Sequence, residues 1–258
     1  VPSVFVRGTT AKARPYIPDG QILVDVAKGM EPDTLYTMTE VIADELNRDG
    51  GPKNCRLVAL SGPTHAEEVA LDLPTTIVSA CPDDEAARFV QDVFSNTCMR
   101  VYTNPDIKGV ELSGALKNVI ALGVGISTGL GYGDNARAAL ITRGIAEIAR
   151  LGVAMGCNIH TFAGLAGIGD LIVTATSMHS RNNRAGILIG KGESPEQAVK
   201  EVGALPAAME LAAKYNVEMP IVQTVNAIVK EGMSASDALR TLMDRNRKNE
   251  MPQGYENL

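Results

Sequence analysis

Residues 99–126, with the sequence MRVYTNPDIKGVELSGALKNVIALGVGI, divide the chain into two parts with different hydrophobic patterns. The first five residues of this stretch form a short strand candidate. From about Asp106 onward, apolar residues recur at helical spacing over long stretches, and no convincing strand pattern follows. The sequence therefore predicts an α/β part followed by an all-helical part, with the boundary near residue 110.

Short β-rich runs alternate with helical stretches before this boundary. The strand candidates are residues 22–27, 57–61, 75–80 and 99–103, and the amphipathic helix candidates are residues 33–48 and 82–94. Alternation of this kind predicts a mostly parallel sheet with helices on its faces. The predicted fold class is α/β plus all-α, with residues 1–110 in part of a parallel-sheet domain and residues 111–258 in a helical domain.

Two later helices have residues at their starts that are typical of helix caps. In Ser194-Pro195-Glu196-Gln197, the serine stands at the cap, the proline at the first helical position and the glutamine at the third. Ser234 followed by Asp237 is a weaker form of the same signal. Both patterns predict helix starts in the second part.

The composition argues against nucleic-acid binding. The 258 residues carry a net charge of −6 and the isoelectric point is about 5.2, whereas a nucleic-acid-binding domain is expected to be basic. Aromatic residues make up only 4% of the chain and tryptophan is absent, so few side chains could stack on nucleic-acid bases. The acidic balance still allows a locally basic pocket for a small anionic substrate.

The cysteines and histidines match no metal-binding or disulfide pattern. The four cysteines form no Cys-x-x-Cys pair, and the three histidines lie far apart. Scattered reduced thiols are typical of a cytoplasmic protein, so we expect that compartment and no metal. The longest clean apolar run, residues 119–126, is too short to cross a bilayer, and we expect no membrane span.

Two glycine-rich segments, residues 123–129 and 164–169, invite comparison with dinucleotide-binding loops. Neither follows a strand candidate, whereas a phosphate-cradling loop stands between a strand and a helix. Close packing of helices, which small residues permit, is the favoured interpretation of both segments.

Lys117 is the first candidate for chemistry. It stands among apolar residues in a helical run, and such surroundings lower the pKa of a lysine towards the range that suits proton transfer. Taken alone, a surface lysine whose stem lies along apolar residues is the favoured alternative.

A second candidate is the polar and basic segment Ser180-Arg-Asn-Asn-Arg184, which runs directly into an apolar stretch. Ser180 is placed to cap a helix whose first turn carries Arg181 and Asn182. Free backbone N–H groups and guanidinium groups together favour a phosphate or a carboxylate. A solvated helix start explains the pattern about equally well.

Three further segments point to the same kind of site. Lys28-Gly29 and Gly62-Pro-Thr-His-Ala66 each follow a strand candidate, where open α/β sheets bind their ligands. Asp170 follows the second glycine-rich segment and is placed either to cap a helix or to orient the lysine and accept a hydrogen bond from a substrate hydroxyl. Each segment has a structural explanation of its own, but together they are harder to explain without a ligand.

Five motifs, taken in order, resemble those of the NAD(P)-dependent glycerol-3-phosphate dehydrogenase family. They are Ala27-Lys28-Gly29, Ser61-Gly62-Pro63-Thr64-His65-Ala66, Glu111-Leu-Ser-Gly-Ala-Leu-Lys117-Asn118, Gly167-Ile-Gly169-Asp170-Leu and Ser180-Arg181-Asn182. Their order and approximate spacing agree through nearly the whole chain, including Val217-Glu-Met-Pro220-Ile. Five motifs in register are far more specific than any one of them.

The resemblance implies a Rossmann-like sheet domain followed by a helical substrate and dimerisation domain. It implies a homodimeric oxidoreductase that interconverts dihydroxyacetone phosphate and sn-glycerol 3-phosphate, the backbone of phospholipids, with NAD or NADP. Lys117 would be the general acid and base. The other implied residues bind substrate (Gly62, Thr64, Asp170, Ser180 and Asn182), cofactor (Ala66) or both (Lys28 and Arg181).

The sequence departs from the family's pattern on the cofactor side. The family's first strand and glycine-rich loop, which bind the cofactor's pyrophosphate, are not found, and its Val-Glu-Gly stretch is shortened where Val202-Gly203 runs into Ala204. We expect both segments to belong to the natural protein. Two alternatives stay open, a related dehydrogenase of another hydroxyl substrate and an interaction protein without a cofactor.

Overall fold

The structure is a computed structural model, and it describes residues 1–48, 50–193, 203–247 and 249–250. Four strands form one sheet in the order β1 (Ile22–Asp25), β2 (Arg56–Ser61), β3 (Thr75–Ala80) and β4 (Met99–Asn104). The helices of this part are α1 (Val6–Ala13), α2 (Met38–Leu46), α3 (Ala66–Val69) and α4 (Asp84–Phe94). The predicted alternation of strands and helices is confirmed.

Two of the three strand pairings are parallel, β1 with β2 and β3 with β4. The middle pairing, β2 with β3, is antiparallel, which the sequence patterns did not predict. Helices α2 and α4 supply the crossovers that parallel neighbours need, whereas only the single turn of α3 lies between β2 and β3. With so short a connection, the chain returns along the sheet in the opposite direction.

Two elements near the start are shorter than predicted. Strand β1 ends at Asp25, two residues before the predicted end. Helix α2 begins at Met38 rather than near residue 33, because Leu35 has a φ of 61°, a left-handed conformation that does not continue a helix. Thr37 and Glu40 form a capping box at its start, and this Thr-x-x-Glu pattern was a signal in the sequence.

Helices make up the second part of the described chain. The long helix α5 (Ile107–Gly129) runs through its core, where Leu112, Leu116 and Ile120 are fully buried. The remaining helices are α6 (Asp134–Ala154), α7 (Ile159–Phe162), α8 (Asp170–Thr176), α9 (Arg181–Gly190), α10 (Ala204–Lys214), α11 (Pro220–Glu231) and α12 (Ala235–Met243). Ser234 caps α12 as predicted, while the helix start expected at Ser194 lies outside the described residues.

By length and composition alone, two helical stretches could cross a membrane, Ile107–Gly129 and Ile159–Thr176. The absence of a membrane span was predicted from the apolar run of residues 119–126, which is only part of the apolar helix α5. The protein itself buries 89% of the apolar window of the first stretch and 44% of that of the second. Helix α5 is therefore a core helix of this fold.

Glycines allow α5 and α9 to pack backbone against backbone. A Cβ atom on Gly125 would lie 2.2 Å from the carbonyl oxygen of Asn183, and one on Gly186 would lie 2.2 Å from that of Leu122. A second pair of glycines repeats this contact one turn further along both helices. The glycines of residues 123–129 therefore serve close helix packing, as predicted.

Gly186→Ala will lower the free energy of unfolding by about 1–3 kcal/mol, because the added methyl group forces two helix backbones apart. Gly8→Ala is the matched control, since a Cβ atom on Gly8 of α1 meets no atom within 4 Å. It will stabilise the protein by up to about 1 kcal/mol through helix propensity. Urea unfolding measures both effects, and an unchanged stability of Gly186→Ala would contradict the close contact.

Candidate active site

Two lysines and one aspartate form a cluster where the sheet part meets the helical part. The Nζ atom of Lys117, on α5, lies 2.5 Å from Oδ1 of Asp170, and the Nζ atom of Lys28 lies 2.8 Å from Oδ2 of the same carboxylate. Asp170 is 1% exposed and Lys117 is 7% exposed. One buried carboxylate therefore binds two ammonium groups from different parts of the chain.

Lys28 reaches this cluster from the segment after β1. Its Nζ atom also donates to the carbonyl oxygen of Gly62, in the loop after β2, at 2.9 Å. Its stem passes α5 at Gly114, where a Cβ atom would lie 3.4 Å from Cγ of Lys28. The segments after two neighbouring parallel strands therefore meet at one point, as the position of ligand sites in α/β sheets led us to expect.

Lys117 has a second hydrogen-bond partner. Its Nζ atom donates to Oγ1 of Thr174 at 2.7 Å, and that hydroxyl donates to the carbonyl oxygen of Asp170 at 2.7 Å. Thr174 stands one turn after Asp170 on α8, so the two side chains lie on one face of the helix. Thr174 was not among the residues predicted from the sequence, although its spacing of four residues from Asp170 was an available signal.

Burial lowers the pKa of Lys117 to about 8, because loss of water disfavours the ammonium form. The positive charge of Lys28 acts in the same direction, whereas the carboxylate of Asp170 attracts the ammonium group and acts against it. This direction is the one expected from the apolar neighbours in the sequence. Lys117 lies in the interior and not at the surface, where the alternative interpretation would have placed it.

A wide helical turn delivers Asp170 to the cluster. The turn spans Leu165–Gly169, and Gly167 has non-helical angles of φ −91° and ψ −106°. A Cβ atom on Gly167 would lie 2.1 Å from the carbonyl oxygen of Phe162, so glycine is required there. Wide turns of this kind recur at functional sites. Asp170 then begins α8, and its carboxylate binds the two lysines instead of capping the helix.

The polar and basic segment after residue 179 is a capped helix start, as predicted. The hydroxyl of Ser180 accepts a hydrogen bond from the backbone N–H of Asn183 at 3.2 Å, and α9 begins at Arg181. Arg181 is exposed, whereas Asn183 is buried and donates to the carbonyl oxygen of Ala175 at 2.8 Å. The Oδ1 atom of Asn182 is buried without a hydrogen-bond partner among the described residues.

The loop after β2 lies near the start of α9. The ring of His65 lies beside that of His179, with centroids 5.7 Å apart, and His179 directly precedes the cap of α9. Thr64 donates to the carbonyl oxygen of Gly62 at 3.2 Å, and Ala66 is exposed at the start of α3. The sequence did not predict the contact between the two histidines, which joins the predicted strand-end loop to the predicted helix start.

Two buried polar atoms of this region are available to an organic ligand that forms hydrogen bonds. Within the described ranges, no three histidine, cysteine or carboxylate side chains come together as a metal site. The Nε2 atom of His65 and the Oδ1 atom of Asn182 are buried, and each has no hydrogen-bond partner in the described part of the chain. Because buried polar atoms are normally paired, such atoms are candidates for contact with a ligand.

Two family models match the chain. Residues 1–87 match the N-terminus of NAD-dependent glycerol-3-phosphate dehydrogenase, and residues 106–240 match the C-terminus of the same family. Together the two matches cover most of the sequence.

Proteins with curated names are similar to the chain over nearly its whole length. Glycerol-3-phosphate dehydrogenase (NAD(P)+) 2 of Lactobacillus delbrueckii subsp. bulgaricus is 66% identical over 97% of this chain and 77% of its own. Glycerol-3-phosphate dehydrogenase (NAD(P)+) of Pelotomaculum thermopropionicum is 52% identical over 97% of this chain and 73% of its own. This chain thus spans about three-quarters of their length.

A solved structure is similar in fold as well as in sequence. The crystal structure of glycerol-3-phosphate dehydrogenase from Coxiella burnetii has a TM-score of 0.86 at 34% identity, covering 95% of this chain and 75% of that one. The Rossmann-like sheet part followed by a helical part is therefore common to both chains.

Proposed function

The chain belongs to the NAD-dependent glycerol-3-phosphate dehydrogenase family, and we propose that Lys117 is the general acid and base of its reaction. The protein is an oxidoreductase that interconverts dihydroxyacetone phosphate and sn-glycerol 3-phosphate with NAD(P)H. The observation that carries the proposal is the buried contact of Lys117 with Asp170, beside Lys28, where the two parts of the chain meet.

Reduction of a ketone requires a proton at its oxygen while its carbon receives hydride. Negative charge builds on that oxygen, and a positioned ammonium group stabilises it and then donates the proton. A lysine with a pKa of about 8 has both protonation states accessible near neutral pH. Lys117 is therefore the acid in the direction of reduction and, as a free amine, the base in the direction of oxidation.

Asp170 and Thr174 orient Lys117 in this proposal. Both accept hydrogen bonds from its Nζ atom, at 2.5 and 2.7 Å, which leaves the third N–H of the ammonium group for the substrate oxygen. The carboxylate also favours the charged form of Lys117, whereas burial and the neighbouring Lys28 disfavour it. The pKa thus stays near the working pH instead of falling well below it.

The start of α9 holds the substrate phosphate in this proposal. Ser180 and Arg181 bring together the N–H groups of a helix N-terminus and a guanidinium group, whereas the buried Oδ1 atom of Asn182, an acceptor without a described partner, suits a substrate hydroxyl. A phosphate held there fixes the position of the carbonyl carbon relative to Lys117. The other proposed substrate contacts are Lys28, Gly62, Thr64 and Asp170.

The nicotinamide cofactor, when bound, supplies or accepts the hydride. The residues proposed to contact it are Lys28, Ala66 and Arg181. Two cationic side chains suit an anionic dinucleotide, and the small, exposed side chain of Ala66 leaves room for it. The buried, unpartnered Nε2 atom of His65 stands next to Ala66 in the described loop, so the residues present fit such a group.

We also propose the division of the chain at residue 110, a homodimer and a cytoplasmic location. The division is supported by the end of β4 at Asn104 and the start of α5 at Ile107. The homodimer is supported by the resemblance to the family. The location is supported by four free cysteines and by the burial of α5 inside the protein.

Lys117→Ala will lower kcat by about 10²–10⁴-fold, because the reaction loses its positioned proton donor. Steady-state reduction of dihydroxyacetone phosphate, followed by oxidation of NADH or NADPH, measures the loss. Lys12→Ala replaces an exposed lysine in the last turn of α1 and will keep the wild-type kcat. A near-normal kcat for Lys117→Ala would remove this lysine from the chemistry.

Arg181→Ala will raise the KM for dihydroxyacetone phosphate about tenfold or more, because the phosphate loses a charged hydrogen-bond donor. Arg184→Ala is the matched control, since Arg184 is also exposed in the first turn of α9, and its KM will stay close to that of the wild type. The same assay at saturating cofactor gives both values. An unchanged KM for Arg181→Ala would count against recognition of the phosphate by this side chain.

A further inference from the structure

A buried carboxylate on α5 binds the helix that follows the Lys28 segment. Glu111 is 6% exposed, and its carboxylate accepts hydrogen bonds from the backbone N–H of Thr39, at 2.8 Å, and from the Thr39 hydroxyl. Thr39 is the second residue of α2, so Glu111 binds the N-terminus of that helix. The free N–H groups and the dipole at a helix N-terminus favour a negative charge there.

This contact lies beside residues 28–37, the Lys28 segment, which lead into α2. Met30 and Thr37 pair as an isolated bridge, so the residues between them form a closed turn. Met30 is 4% exposed and packs into the core of the helical part, two residues after Lys28. The segment is thus held on one side by the apolar contact of Met30 and on the other by the hydrogen bonds of Glu111.

Three residues of α5, each three positions apart, contact this segment or the lysine it carries. Glu111 binds the start of α2, Gly114 faces the stem of Lys28, and Lys117 shares the carboxylate of Asp170 with Lys28. Residues three apart are neighbours on one side of a helix. One side of α5 therefore adjoins the helix after the Lys28 segment, the stem of Lys28 and the carboxylate that Lys28 binds.

We propose that Glu111 is a positioning residue that sets Lys28 for its contact with the substrate. Glu111 acts through Thr39 and the closed turn, and it is not a catalytic residue. The inference rests on the proposed substrate contact of Lys28. It adds Glu111, at the other end of the Lys28 segment, to the residues that govern substrate binding.

The charge of Glu111 changes with pH near neutrality. Burial raises its pKa to about 7, while the hydrogen bonds from Thr39 act in the opposite direction. The negative charge of Asp25, at the end of β1, also raises this pKa, and Lys108, three residues before Glu111 on α5, pairs with Glu40, the residue after Thr39 on α2. Protonation of Glu111 below about pH 7 removes the negative charge at the start of α2, so KM rises towards acidic pH.

Two substitutions at residue 111 separate positioning from a general loss of stability. Glu111→Ala removes both acceptor oxygens, and we expect the KM for dihydroxyacetone phosphate to rise about tenfold with little change in kcat. Glu111→Gln keeps one acceptor oxygen but, like the protonated carboxyl, carries no charge, so above about pH 7 its KM will lie between those of the wild type and of Glu111→Ala. The KM of the glutamine variant will also rise less towards acidic pH than that of the wild type, because its residue 111 cannot be protonated.

Glu147→Ala is the matched control. Glu147 is 3% exposed, burial raises its pKa to about 7 as well, and it accepts hydrogen bonds from the N–H groups of Ile221 and Val222 at the start of α11. Glu147 thus binds the N-terminus of α11 in the same way that Glu111 binds the N-terminus of α2. Its alanine variant will be destabilised to a similar degree but will keep the wild-type KM.

Hydrogen exchange gives a readout that does not depend on turnover. Glu111→Ala will speed exchange in peptides covering residues 26–40, whereas Glu147→Ala will speed it in peptides covering residues 219–223. An unchanged KM in Glu111→Ala, or an equal rise of KM in both alanine variants, would overturn the inference.

Lys28→Ala distinguishes failure of the inference from failure of the proposed substrate contact. A raised KM in Lys28→Ala together with an unchanged KM in Glu111→Ala overturns only the positioning role of Glu111. An unchanged KM in Lys28→Ala overturns the substrate contact of Lys28 itself.

Discussion

The carboxylate of Asp170 binds two ammonium groups in the interior of the protein, and the geometry of the site depends on this contact. A buried charge needs partners, and loss of this carboxylate would leave Lys117 and Lys28 facing each other without compensation. The same contact joins the segment after β1 to α5 and α8, so the chemical site also connects the sheet part to the helical part. Asp170 therefore helps to position Lys117 and also favours its charged form, against the effects of burial and of Lys28 on its pKa.

Much of the fold could be predicted because each segment carries its own hydrophobic period. The strand at residues 75–80 was located to the residue, and the change to helical spacing from about Asp106 coincides with the start of α5 at Ile107. The antiparallel pairing of β2 with β3 could not be predicted, because it depends on the short connection through α3 and not on the pattern within either strand. The start of α2 was missed although Thr37 and Glu40 signalled it.

The site was predictable as a set of segments but not as a geometry. Apolar neighbours and a polar helix start singled out Lys117 and Ser180 one at a time, and the family resemblance ordered them. The sharing of one carboxylate by Lys28 and Lys117 could not be predicted, because tertiary packing brings together residues that are distant in the sequence. The contact of Glu111 with α2 was equally out of reach, since nothing local to either segment specifies its partner.

The claim that Lys117 carries the proton is tested most directly by measuring the rate in both directions over a range from about pH 6 to about pH 10. The rate of reduction will fall as pH rises through about 8, because only the ammonium form donates a proton. The rate of oxidation will rise through the same pH, because only the free amine accepts one. Rates that change in the same direction, or that show no ionisation near pH 8, would contradict this role of Lys117.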